Sequence, residues 1–206
     1  MHQPTIDYYN SHADSFISST VHADMSEMLS SFLELVPQGG TVLDWGCGSG
    51  RDSLAMLQAG INVVPADLSA AMADAAEKLT GLTVRREAFS DLDAENTFDG
   101  VWASASLLHA TRSELPSLFG KAAQALKSNG ILYVSFKYGS FEGERNGRWF
   151  SDLDETALSS IVAHVSELKM IRTWTSHDVR PERANEIWLN AFLQKVPVST
   201  TQSLES

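Results

Sequence analysis

The sequence is short of cysteine and of long apolar runs, and each shortage excludes a class of protein. Cys47 is the only cysteine among 206 residues, so no intrachain disulfide can form. No apolar run approaches the roughly 18 residues that cross a bilayer. The N-terminus also lacks the basic stretch and apolar core of a signal peptide. We therefore expect a cytoplasmic protein without a membrane-spanning segment.

Basic residues are also scarce, which bears on the partners. Lysine and arginine total 15 against 26 acidic residues, and the formal net charge is -11. Such a chain repels phosphate backbones at long range, so nucleic acid is a disfavoured partner. The six histidines show no H-x-H or H-E-x-x-H spacing, and we expect no metal site. The composition leaves the oligomeric state open.

The hydrophobic pattern alternates between strand and helix along most of the chain. Residues 7–36 are predicted to be helical, because their apolar residues recur at helical spacing. Short apolar runs then predict strands at 41–45, 61–67, 82–87, 98–105 and 131–139, with helices between them, and at 168–176 and 186–194. Strict alternation of this kind indicates a parallel sheet with helices on both faces.

The length suits one domain with one core. We predict a single domain over residues 1–196, with a helical cap at 1–37 and a polar loop at 139–152 that could act as a lid. Residues 197–206 are small and polar, and we expect them to form a disordered tail.

One short segment, LDWGCGSG at residues 43–50, carries most of the functional argument. It leaves a strand, turns through glycines that permit positive φ, and enters a helix whose N-terminus favours an anion. Asp44 stands at the carboxyl edge of the first strand, where ligands of such sheets bind. Asp67 ends the second strand, where a carboxylate can accept hydrogen bonds from ribose hydroxyls. A dinucleotide fingerprint would need glycine where Arg51 stands.

Several segments resemble a known family. VLDWGCGSG, with ADLS downstream, resembles the first two motifs of class I S-adenosylmethionine-dependent methyltransferases. FDGVWASASLLHA and LKSNGILYVSFKYG are similar to the fourth motif and to the strand that follows it. The opening segment from Tyr9 to Phe16 is similar to the first helix of small-molecule members, and the tellurite-resistance-like proteins are the subgroup that we suggest. The resemblance covers about Tyr9 to Leu193.

The resemblance implies a fold and a cofactor. The fold is α/β: a Rossmann-like, doubly wound, mostly parallel seven-stranded sheet with helices on both faces and an antiparallel C-terminal strand. The cofactor is S-adenosylmethionine. The usual acidic residue of the third motif is not evident, since Glu87 stands one place early, and this puts the contact with the adenine amino group in doubt.

The resemblance also assigns cofactor contacts. The residues implied are Gly46 and Gly48 along the methionine part, Asp44 at its amino group, Arg51 at its carboxylate, Asp67 at the ribose, Leu68, Ala88 and Phe89 around adenine, Ala103 and Ser104 under the methionine part, and Tyr9 closing over the cofactor.

The acceptor side offers fewer signals. Methyl transfer chiefly requires orientation, and a general base is needed only when the acceptor still carries its proton. His109 fits either a base or substrate hydrogen bond, or a histidine that packs structurally. Arg148 and Arg180 fit an anion-binding pocket, in which arginine clamps a carboxylate, or ordinary surface charge. We predict His109, Tyr138, Arg148 and Arg180 as the residues that meet the acceptor.

Two functions from different classes remain open. The first is a methyltransferase acting on a small, polar or anionic acceptor. The second is a non-catalytic module that binds S-adenosylmethionine or a nucleotide on the same fold. An open cavity lined by His109 or Tyr138 favours the enzyme, and a filled one favours the module. A nicotinamide-dependent oxidoreductase ranks third, because Arg51 replaces the fingerprint glycine.

Overall fold

The structure, a computed structural model, describes residues 3–197. The helices of this part are α1 (Gln3–Ser11), α2 (Ala13–Thr20), α3 (Ser26–Leu33), α4 (Arg51–Gln58), α5 (Ala70–Thr80), α6 (Leu115–Ala125) and α7 (Glu155–Val162). The strands are β1 (Thr41–Trp45), β2 (Asn62–Ala66), β3 (Phe98–Ala103), β4 (Leu126–Lys137), β5 (Glu142–Arg145), β6 (Arg148–Ser151), β7 (Leu168–His177) and β8 (Ile187–Lys195). The predicted tail from residue 198 onward lies outside the described residues.

The main sheet has the strand order β2-β1-β3-β4-β8-β7. The first four of these strands run parallel, and β8 is antiparallel to both β4 and β7. Buried apolar clusters cover both faces of the sheet. The predicted Rossmann-like, doubly wound sheet with an antiparallel C-terminal strand is confirmed. Its carboxyl edge is therefore where the loops that follow β1, β2 and β3 meet.

The predicted count of seven strands is wrong, because residues 82–87 do not form a strand. They contribute only an isolated bridge between Ala66 and Arg85. Arg85 N donates to Pro65 O, and Asp67 N donates to Arg85 O. The next bond of a parallel ladder would need an N–H at position 65, which proline lacks. The ladder therefore ends after one bridge, and the main sheet has six strands.

Two connecting segments also differ from the prediction. The helical region expected over residues 7–36 is divided into α1, α2 and α3. The segment 139–152, expected to be a loop, contains the antiparallel hairpin β5–β6. Asn146 and Gly147 connect its strands with φ of 52° and 76°. A two-residue turn with positive φ at both positions matches the twist of a hairpin, and Asn-Gly is its usual sequence.

Candidate functional site

A cavity of about 740 Å³ lies at the carboxyl edge of the sheet. The loops after β1, β2 and β3 form its floor. Residues from α1 and α2, the hairpin β5–β6 and the connection between β7 and β8 form the rest of its wall. This volume lies within the range of small-molecule sites, and the position is where ligands of open α/β sheets bind.

Residues 46–50, which we call the glycine loop, form the first part of the floor. The N–H groups of Gly46 and Cys47 both donate to Ala66 O at the end of β2, at 2.8 and 2.9 Å. Gly46 has φ of 87°, and a Cβ there would lie 2.4 Å from Ser106 Cβ. A Cβ on Gly48, with φ of 54°, would meet no atom within 4 Å. The loop thus packs tightly at Gly46 and leaves open space at Gly48.

Asp67 connects the glycine loop to the start of α5. Its carboxylate accepts from Gly48 N at 2.9 Å and from Ser69 N at 2.8 Å. Burial raises the pKa of Asp67 to about 6, although the two backbone N–H groups favour its ionised form. Asp67 therefore lies on the cavity wall with both oxygens already engaged by the backbone.

Asp44 is 3% exposed at the end of β1. Ser53 Oγ, in the first turns of α4, lies 2.5 Å from one of its carboxylate oxygens. Burial raises the pKa of Asp44 to about 8, and the nearby charge of Asp52 adds to this effect. Asp44 is thus mostly protonated at neutral pH in the ligand-free protein, and an arriving cation would favour its ionised form.

Arg51 lies on the cavity wall but is already engaged. Its guanidinium donates to both carboxylate oxygens of Asp52, at 2.7 and 3.0 Å, and to Thr20 O at 3.1 Å. Trp102 Nε1 also donates to the Asp52 carboxylate, at 2.9 Å. In this structure Arg51 therefore joins α2 to α4, and the predicted contact with a cofactor carboxylate would need this arrangement to change.

The structure brings most of the predicted cofactor residues to one cavity. Those on its wall are Tyr9, Asp44, Gly46, Gly48, Arg51, Asp67, Phe89 and Ser104. Leu68, Ala88 and Ala103 are not on the wall, and Ala103 is fully buried within the sheet. Their roles stay predictions.

His109 has both ring nitrogens engaged, and it is 4% exposed. Its Nδ1 lies 2.6 Å from Trp149 O, and its Nε2 lies 2.9 Å from the Tyr9 hydroxyl. A carbonyl oxygen can only accept, so Nδ1 carries the proton and the Tyr9 O–H donates to Nε2. Burial, with a smaller contribution from the positive charge of Arg148, lowers the pKa of His109 to about 4. The imidazole is therefore neutral at pH 7.

The other three predicted acceptor residues lie in different surroundings. Tyr138 is 42% exposed, does not line the cavity, and donates to Glu155 at 3.0 Å. Arg180 lines the cavity but makes a two-pronged ion pair with Asp178, at 2.8 and 2.6 Å. Arg148 lines the cavity, and its guanidinium lies over the rings of Tyr8 and Phe150. The structure thus brings Arg148 and His109 together, leaves Tyr138 outside, and satisfies Arg180 with a carboxylate.

Sequence reasoning missed Ser106, which lines the cavity, and two residues that contact wall residues from behind, Ser53 and Asn10. Ser53 lies two positions into α4 and faces Asp44, a placement that the strand–turn–helix pattern could have indicated. Ser106 follows β3, and its buried hydroxyl has no hydrogen-bond partner among the described residues. Asn10 accepts from Ser69 Oγ at 2.8 Å across 59 positions. Nothing local in the sequence signals a contact over that separation.

Comparison with known proteins agrees with this geometry. A family model described as a methyltransferase domain matches residues 42–130. This segment of the chain, a little under half of its length, is therefore similar to methyltransferase domains. The match begins in β1 and ends in β4, so it contains the glycine loop, Asp67 and His109.

Proteins similar to this chain have diverse names. A cypemycin N-terminal methyltransferase from Streptomyces sp is 35% identical over 101 residues, which are 47% of this chain and 41% of that protein. The match therefore spans less than half of the curated relative. A 1,6-didemethyltoxoflavin-N1-methyltransferase from Burkholderia thailandensis is 21% identical, covers 93% of this chain and 85% of its own, and has a TM-score of 0.73. A TehB-like methyltransferase from Corynebacterium glutamicum is 18% identical over 90% of this chain and 98% of its own, with a TM-score of 0.68.

S-adenosylmethionine is the cofactor of this kind of domain, and the residues present fit it. The open space beside Gly48 lets a ligand approach the backbone of the glycine loop without meeting a side chain. Asp44 and Asp67 supply acidic groups on the same wall, which suit an ammonium group and ribose hydroxyls. Ser106 adds a buried hydroxyl that still needs a partner.

Two further observations concern residues 3–197. No helix of that part is long and apolar enough to cross a membrane. No group of three or more histidine, cysteine or acidic residues in it could hold a metal ion.

Proposed function

We propose that this protein transfers a methyl group from S-adenosylmethionine to a small, polar or anionic acceptor by in-line displacement. One observation carries the proposal: a single cavity extends from the glycine loop and Asp67 to His109 and Arg148. A donor bound on the glycine loop and an acceptor beside His109 would share that space.

The residues of the donor side are proposed to bind S-adenosylmethionine and to orient it. S-adenosylmethionine supplies an electrophilic methyl group on a sulfonium, so the protein needs no covalent intermediate. Asp67 is proposed to hold the ribose while it fixes Gly48, and Asp44 to hold the amino group of the methionine part. Orientation of this kind can lower a barrier by roughly 7–11 kcal/mol in favourable cases.

The residues of the acceptor side exclude water and can take a proton. The Tyr9 hydroxyl donates its proton to the hydrogen bond with His109, so its oxygen can only accept hydrogen bonds from a ligand in the cavity. An acceptor with an O–H or N–H group can donate to that oxygen, and the neutral Nε2 of His109 can receive the Tyr9 proton in turn. A structural role, in which His109 only joins α1 to the hairpin, is the alternative that the test must separate.

The relatives support a small acceptor without agreeing on which. The Burkholderia structure contains 1,6-didemethyltoxoflavin and S-adenosylhomocysteine, whereas the Streptomyces relative is named for the N-terminus of cypemycin. The non-catalytic module is the second candidate. A cavity that is open beside His109 supports the enzyme over that module.

The test uses isotopically labelled methyl donor and pools of cellular metabolites. The purified protein should transfer the label to one or a few products that mass spectrometry identifies. The Asp67→Ala protein serves as the control and should form much less product. Equal labelling with both proteins, or none above background with any pool, would contradict the proposal.

A further inference from the structure

The cations on the cavity wall fall into two groups. Most of them face a carboxylate of the protein itself. These pairs are Arg51 with Asp52, Arg145 with Asp152, Arg180 with Asp178, and both Lys137 and Arg183 with Glu186. Such cations are already neutralised, and a bound anion would have to displace a carboxylate from them.

Arg148 belongs to the second group, since no carboxylate of residues 3–197 pairs with it. Its Nη1 makes only a long contact with the Tyr9 oxygen, at 3.5 Å. Its Nε is buried and has no hydrogen-bond partner in the described part of the chain. A partly buried guanidinium with unused donors is costly unless a ligand satisfies it.

Aromatic rings hold this guanidinium in place. Its carbon lies 4.4 Å from the ring centre of Tyr8, 5.1 Å from that of Phe150 and 5.8 Å from that of Tyr9. Contact with ring faces orients the cation but uses none of its N–H groups. The fork of donors is left free for two parallel bonds to an oxyanion.

The wall around Arg148 also limits the shape and polarity of what binds there. Tyr9 and Phe150 contribute rings beside it. Phe16 and His109 make edge-to-face contacts with those rings, and all four residues line the cavity. The Tyr9 hydroxyl donates to His109 and the other His109 nitrogen donates to Trp149 O, so neither ring offers a donor to a ligand. The surroundings are therefore flat and aromatic, with one strong donor group.

We propose that Arg148 binds the carboxylate of a planar aromatic acceptor, whose ring lies among Tyr9, Phe16 and Phe150. This deepens the proposed function and rests on it, because it names the class of acceptor for the same cavity. Arg180 takes no part in it, since Asp178 already occupies its donors.

The test is a calorimetric titration with three probes of similar size, each with and without S-adenosylhomocysteine. Benzoate has the charge and the flat ring, benzamide has the ring without the charge, and cyclohexanecarboxylate has the charge without the flat ring. Benzoate should bind, and each of the other two should bind at least about tenfold more weakly.

Substitutions assign the binding to Arg148. Arg148→Gln should weaken benzoate about 10- to 100-fold, and Arg148→Lys should recover only part of the loss, because lysine keeps the charge but loses the fork. Arg172→Gln is the matched control. Arg172 also lies over an aromatic ring, 4.6 Å from that of Trp174, but it does not line the cavity. This variant should bind benzoate like the wild type.

The outcomes separate the two proposals. Absent benzoate binding, equal binding of benzamide, or unchanged affinity in Arg148→Gln would overturn the assignment of Arg148. Loss of S-adenosylhomocysteine binding in Arg148→Gln would overturn it too, because the arginine would then serve the donor. Failure of the wild type to bind S-adenosylhomocysteine would contradict the proposed function, whatever benzoate does.

Discussion

The two ends of the cavity are built in opposite ways. The donor end consists of the glycine loop, Asp44 and Asp67, which lie within 24 positions of one another in the sequence. The acceptor end joins Tyr9 to His109 across 100 positions and Thr5 to Trp149 across 144. The donor end is therefore set by local turns, and the acceptor end is set by tertiary packing.

The ends also differ in charge. Burial raises the pKa values of the two donor-end carboxyl groups, to about 8 for Asp44 and about 6 for Asp67. Burial lowers the pKa of His109 at the acceptor end to about 4, and Arg148 is the unpaired cation there. The acidic groups of the donor end thus suit a cationic ligand group, and the unpaired cation of the acceptor end suits an anionic one. Five substitutions test this contrast.

Asp67→Ala should have the largest effect. It removes the acceptor of two backbone N–H groups, which fix Gly48 and Ser69, as well as the proposed ribose contact. Affinity for S-adenosylhomocysteine should fall at least about 100-fold, the size expected for two bonds to a charged group. Calorimetry measures it. Asp74→Ala, an exposed carboxylate on α5, is the control and should leave affinity unchanged.

Gly46→Ala should mainly lower stability, whereas Gly48→Ala should mainly lower ligand affinity. A Cβ on Gly46 would overlap Ser106 Cβ, and its φ is positive, so the free energy of unfolding should fall by about 2–4 kcal/mol. A Cβ on Gly48 faces open space, so its stability cost should be about 1 kcal/mol. The Gly48 variant should instead lose ligand affinity. Equal stability losses in thermal unfolding would contradict the two environments.

Asp44→Asn tests the donor end through pH. The raised pKa means that ionising Asp44 opposes folding, so its contribution to stability is present below the unfolded pKa and is lost as pH rises through about 8. Between pH 4 and pH 8 the free energy of unfolding of the wild type should fall by about 4–5 kcal/mol more than that of the variant. Chemical denaturation at both pH values measures it. A constant difference would argue against a protonated Asp44.

His109→Gln tests the acceptor end and should show the opposite sign. The lowered pKa means that the stability from His109 is present above about pH 6.5 and is lost as pH falls through about 4. Between pH 7 and pH 5 the free energy of unfolding of the wild type should fall by about 1–2 kcal/mol more than that of the variant. His164→Gln, an exposed histidine bonded to Ser160 O, is the control. A His109 imidazole that titrates near pH 6.5 by NMR would contradict this account.

The same contrast explains what could be predicted from sequence. The strand, the acid and the glycines at residues 43–50 are adjacent, so their pattern predicted the donor end and most of the fold. The strand predicted at residues 82–87 does not form beyond one bridge, because Pro65 on the neighbouring strand has no N–H. The hairpin was missed although Asn146-Gly147 is a strong turn signal.

The acceptor end could not be predicted in the same way. Asp178, two positions before Arg180, could have indicated that ion pair, but nothing near Arg148 indicates that no carboxylate pairs with it. The surroundings of Arg148 depend on the packing of the hairpin against α1. Nothing in the sequence indicates that Tyr138 is exposed and donates to Glu155.

The central claim is that the glycine loop and Asp67 shape a site for the adenosyl donor. Titration of S-adenosylhomocysteine into the wild-type protein, followed by calorimetry and by the amide resonances of Gly46 and Gly48, tests it most directly. The account predicts one-to-one binding near micromolar affinity, with both glycine resonances shifted. No heat of binding and unmoved glycine resonances would contradict it.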